Sequence, residues 1–197
     1  MKDFVLFAQP WWVNLFLLAP FAAYFLWRRD GLQISRRILV VAALFGAAFG
    51  FVEAAVVVYL RAAVGLLPGY GGTLADVARL SSEIYQNAQI HGDLPQSLLT
   101  IEVYREIATL VMLVSIALLS ATSLRERSAI FLWDFAIWDI CYYAGLYLTV
   151  GWPPSLLSPD VLFLIPEPWL AQVWLPILVS TLMLVTIALA RKPRVRL

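Results

Sequence analysis

The feature that most limits what this chain can fold into is the length of its apolar runs. About 20 helical residues are needed to cross roughly 30 Å of hydrocarbon, and runs of that length recur near residues 4–27, 38–60, 98–120, 129–150 and 169–190. With 62% hydrophobic and 14% charged residues, the chain carries more apolar surface than a water-soluble fold of its size can hide. The expected fold is an all-α integral membrane protein, a bundle of about five transmembrane helices forming a single domain over residues 1–197.

The basic residues then orient the bundle. Arg28, Arg29, Arg36 and Arg37 follow the first run, Arg125 and Arg127 the third, and Arg191, Lys192, Arg194 and Arg196 the fifth. With five crossings all three clusters fall on one side, so the positive-inside rule predicts an outer N-terminus and a cytoplasmic C-terminus in the cell (plasma or inner) membrane. No small-residue cleavage site follows the first run, which is therefore expected to stay as an anchor.

Two outer connections have character of their own. Over residues 74–91, Leu74, Val77, Leu80, Ile84 and Ala88 recur with helical period among polar residues, which predicts an amphipathic helix on the outer surface. Over residues 151–168, five prolines bracket Val161-Leu162-Phe163-Leu164-Ile165, too short a stretch to span, so an interfacial or shallow re-entrant segment is expected. Trp11, Trp12, Trp27, Trp152 and Trp169 fall near span ends, where they are expected to act as interfacial anchors.

Counting residue types removes several chemistries. One histidine, His91, cannot supply paired haem ligands, and Lys2 and Lys192 lie outside the runs, so no amine is placed for a Schiff base inside the bundle. The single Cys141 allows no intramolecular disulfide. A net charge of +1 without a basic stripe gives nucleic acid no footprint.

What remains is a set of ionisable groups at membrane depth, where they are costly and usually face the bundle interior. Glu53 lies in the second run, Glu102, Arg105 and Glu106 in the third, and Asp134 and Asp139 in the fourth. Glu53 and Glu106 each fall about eight residues from the outer end of their helices, roughly 12 Å in, with Asp139 somewhat deeper. Glu102 and Glu106 stack four apart on one helix face, and Tyr142 and Tyr143 stand one turn outward of Asp139. Gly46-x-x-x-Gly50 allows a second helix to approach closely beneath Glu53. Arg105 can reach Glu53, forming an internal ion pair, but four carboxyls outnumber it, and unpaired carboxylates in low dielectric take up a proton or hold another cation. Asp134 sits near the inner interface, within reach of the headgroups or of Arg125 and Arg127.

The candidate substrate or cation site is thus Glu53, Glu102, Arg105, Glu106, Asp139, Tyr142 and Tyr143, with Glu53, Glu106 and Asp139 as candidate ligands of a metal cation. The expected function is binding of a cation, proton or small lipid-like substrate from the outer side, for transport or membrane-embedded catalysis. The competing reading is an accessory subunit, its polar groups serving packing and its partners being membrane lipid and other membrane subunits.

Overall fold

A computed structural model describes residues 7–63 and 96–192. The surface helix expected over residues 74–91, with His91 at its end, lies outside the described residues. The protein is mostly helical. A 3-10 helix, Trp11–Leu18, runs into α1 (Ala19–Trp27); then follow α2 (Arg36–Ala63), α3 (Gln96–Ser120), α4 (Leu124–Val150), strands β1 (Pro159–Val161) and β2 (Leu170–Gln172), and α5 (Trp174–Ala190). Three helices, α2, α3 and α4, are long and apolar enough to cross a membrane; Trp11–Trp27 and Trp174–Ala190 are shorter apolar helical segments.

Local chemistry explains the boundaries. Ser123 caps α4, its hydroxyl accepting from the Glu126 N–H at 3.2 Å, with Glu126 three residues on in the arrangement of a capping box. Gly151 ends the same helix at φ +67°, a left-handed conformation that costs glycine little. The run at 4–27 is not one continuous α-helix. Pro20 in the first turn of α1 lacks an N–H, and its ring opposes an α-turn through the preceding residues, so a 3-10 segment leads in. Asn14 ties the incoming chain, exchanging hydrogen bonds with both backbone groups of Ala8 at 2.9 Å.

The run at 169–190 is also divided. Helix α5 begins only at Trp174, because Leu170–Gln172 pairs antiparallel with Pro159–Val161 in the register Asp160 opposite Ala171. Gln9 adds to the far edge of β2, exchanging hydrogen bonds with Leu170 at 2.8 and 2.7 Å.

Helix α4 is the centre of the bundle. It makes its most extensive contact with α2 and further contacts with α5 and α3, while α1 packs on α5. Gly46 and Gly50 set the α2–α4 spacing: a Cβ on Gly46 would stand 2.8 Å from the carbonyl oxygen of Asp134, and one on Gly50 would overlap that of Trp138. Close approach of this kind is what small residues permit between apolar helices. Leu39, Ala42, Ala117, Ile130, Ala136, Met183 and Ile187 fill one half of the bundle with an apolar core.

At that end, Lys192 N–H donates to Leu32 O, Leu32 N–H to Ala190 O, and Arg125 pairs with Asp30 at 3.1 Å. The opposite end carries the strands and Gly151. Two tryptophans depart from the anchor role. Trp27 belongs to the apolar core, and Trp152, 1% exposed, packs against Tyr143 among Leu146, Val150 and Val173. Trp11 is 74% exposed. Asp134 also departs from expectation: it is fully buried against Gly46, while Arg125 takes Asp30 and Arg127 donates to the Ala121 carbonyl. The glycine seam draws α4 so close to α2 that the short acid is enclosed.

Candidate functional site

The β1–β2 hairpin turns inward. Its loop, residues 162–169, is closed by hydrogen bonds from Leu162 N–H to Trp169 O and from Trp169 N–H to Phe163 O, at 2.8 and 2.7 Å. The Phe163 ring stacks on Phe135 at 6.2 Å, lies 6.5 Å from Trp138 and packs on Trp169 at 5.2 Å. Phe135 sits eleven residues, about 16 Å, from the start of α4, near the middle of that helix. The Pro-rich segment is therefore a hairpin that folds inward against the middle of α4, and its position comes from packing an aromatic tip among aromatic partners.

Beneath the hairpin lies a cavity of about 660 Å³. The side chains of Glu53, Glu102, Arg105, Glu106, Asp139, Tyr142 and Tyr143, all singled out from the sequence, line it. They come from α2, α3 and α4, brought together because each acid lies on a face its helix turns to the interior.

Within the cavity the polar groups form separate contacts. Arg105 makes an ion pair with Glu53 through Nη1 and donates to Glu102 from Nη2 and Nε, at 2.6 and 3.1 Å. Thr109 Oγ1 donates to the second oxygen of Glu53 at 3.1 Å. The guanidinium fork thus holds two helices through charge-assisted bonds. Glu106 does not join this pair. Its two oxygens accept from the backbone N–H of Leu164 at 3.0 and 2.9 Å, which fixes the hairpin tip to α3.

On the other side, Ser180 of α5 donates to Asp139 at 2.8 Å. Tyr143 donates to Asp160 at 2.8 Å, and Asp160 also accepts from the Val161 N–H at 2.8 Å. Tyr142 stacks on Trp138 at 6.1 Å. Among the described residues no three His, Cys, Asp or Glu converge as a metal site would require. Glu53, Glu106 and Asp139 line the same cavity but each engages a different donor.

Three participants carried little signal in the sequence: Asp160, Ser180 and the Leu164 amide. Asp160 sits within a proline-rich stretch that reads as cover, yet an aspartate beside an apolar pentapeptide was the available hint. Ser180 is a small hydroxyl within an apolar run, and a backbone amide has no sequence signature.

The remaining lining is apolar, aliphatic side chains mixed with the aromatic rings of Phe16, Phe131, Phe135, Trp138, Phe163 and Trp169. Val13 and Phe16 of the 3-10 helix and Leu175 and Val179 of α5 also line the cavity. No family model, curated protein or solved structure matches this chain.

Proposed function

We propose that this is a five-span protein of the plasma or inner membrane, N-terminus outside, whose intramembrane cavity binds a small amphiphilic molecule from the outer side. The observation that carries the reading is the cavity of about 660 Å³, apolar over most of its wall, with aromatic rings among aliphatic side chains, and polar at a few points. Ligand sites of about 300–1,000 Å³ have this composition, apolar surface for affinity and a few polar groups for orientation.

Membrane depth favours a lipid-like ligand over a hydrophilic one. Three helices have the length and apolarity to cross, and the two shorter apolar segments are adjoined by extended chain whose backbone is hydrogen-bonded, Gln9 bridging to Leu170 before the first and β2 pairing with β1 before the second, which suits irregular backbone at that depth. Arg28, Arg29, Arg125, Arg191 and Lys192 belong to the chain segments gathered at one end, which supports the topology read from charge. The apolar core filling that half favours access and release from the opposite, outer side.

The reading is tested by isolating the full chain in a neutral maltoside and identifying bound amphiphiles by native mass spectrometry and extraction. A parent that carries a bound molecule, lost in Val57→Trp, is the expected result, since Val57 lines the cavity and is almost fully buried. If the parent carries none, and no amphiphile raises its melting temperature, the cavity is a packing defect and the proposal fails.

A further inference from the structure

We propose that the ligand of this cavity is an organic cation, an alkylammonium head on an apolar body. The inference rests on the amphiphile reading above and adds its charge. Among the described residues the cavity lining contains a single basic side chain, Arg105, and that guanidinium is already held by Glu53 on one side and Glu102 on the other. Glu106 and Asp139 face the same space, and their hydrogen bonds come from neutral donors, the Leu164 amide and the Ser180 hydroxyl. A carboxylate in a low-dielectric cavity draws a cation strongly, because solvent does not screen the pair.

The shape and walls of the space select the kind of cation. A hard metal ion needs several oxygens converging at 2–2.6 Å, which the dispersed acids do not offer, and it would leave most of 660 Å³ unfilled. Phe135, Trp138, Tyr142 and Phe163 instead form a connected aromatic surface, successive rings lying 5.3 to 6.5 Å apart. Aromatic faces attract an alkylated ammonium through the ring quadrupole without requiring hydrogen bonds from it. An alkyl chain on the same nitrogen would run along the apolar wall of α5 and the 3-10 helix.

The test uses the purified full chain in maltoside micelles and reads melting temperature against the mole fraction of three added C12 amphiphiles. These are dodecyltrimethylammonium, dodecylphosphocholine and the neutral dodecanol. The cation should raise the melting temperature saturably, with half-saturation about ten-fold below that of dodecanol. Tetrabutylammonium bromide should compete with it where sodium bromide at equal ionic strength does not.

In a Glu106→Gln/Asp139→Asn variant the preference for the cation should vanish while the dodecanol response persists. Should that variant fail to fold, the competition experiment on the unaltered protein decides. A dodecylphosphocholine response equal to that of the simple cation assigns the site to a lipid headgroup; a response to the simple cation alone assigns it to a free amine. Equal half-saturation for dodecanol and both charged heads overturns the cation inference and leaves the amphiphile cavity standing. No response to any of the three sinks both.

Discussion

The backbone N–H of Leu164 donates to both carboxyl oxygens of Glu106, so one residue at a hairpin tip is fixed by one acid on a neighbouring helix. This contact joins the hairpin to α3, whose helix–helix packing among the described elements is mainly against α4, with a smaller area on α2. Removing the acceptor should free the tip. In a Cys141→Ser background, a cysteine at the buried cavity position Val57 should react with a small thiol reagent about ten times faster when Glu106 is also replaced by Leu, the loss of a hydrogen bond to a charged group. Unchanged reactivity would show that the aromatic contacts of Phe163 alone seat the hairpin.

Arg105 is the only described cation between Glu53 and Glu102. Arg105→Ala should lower stability by about 3 kcal/mol, because it leaves Glu53 buried without this counter-charge. Glu53→Gln introduced on top should restore part of that loss, since the remaining amide is cheaper to bury than the acid. Melting of the two single variants and the double in detergent measures the coupling; additive losses would mean that the pair is not an energetic unit.

The closeness of α2 and α4 gives Gly50 little tolerance. Gly50→Ile should destabilise the protein by at least 1–3 kcal/mol, the usual cost of overpacking, because its Cβ alone would overlap the Trp138 carbonyl. Unchanged thermal stability in detergent would place that helix face against lipid.

Much of this site was legible from helical period alone. Glu53, Arg105 and Gly50 could be brought together from the sequence because on a regular helix spacing fixes both face and depth. The hairpin resisted the same treatment. Whether Asp160 or its neighbours point inward depends on strand register, and the partner of Glu106 is a main-chain amide. Trp27 and Trp152 were misplaced for a related reason: nearness to a span end does not say whether a ring faces headgroups or a neighbouring helix. Asp134 followed suit, since its burial depends on how near the Gly46 seam draws α4.

The Tyr143–Asp160 bond ties the hairpin to α4, as the Glu106–Leu164 contact ties it to α3. Tyr143→Phe should cost about 1–3 kcal/mol because it removes a donor from a buried carboxyl, and in an Asp160→Asn background the same change should cost less. A double-mutant melting cycle supplies the number; equal losses in both backgrounds would remove the bond from the account of hairpin stability.

Topology is open to direct labelling. Single cysteines at Arg36 or Arg125 should resist an impermeant thiol reagent in intact cells, whereas one at Ser155 should react. Reaction at Arg125 would reverse the orientation and put the cavity's access on the cytoplasmic side.

The pairing of Gln9 with Leu170 at one end, and of Leu32 with Ala190 at the other, also sets an order of assembly. Synthesis delivers Gln9 and Leu32, on either side of α1, early, and their partners Leu170 of β2 and Ala190 of α5 only after α4, so these main-chain groups wait for each other through most of translation. In an apolar setting such groups cost several kcal/mol while unpaired. Strand β2 and helix α5 therefore work as a late clasp: a nascent chain halted before Leu170 retains α1 to α4 yet lacks both partners that hold the segments flanking α1 in place.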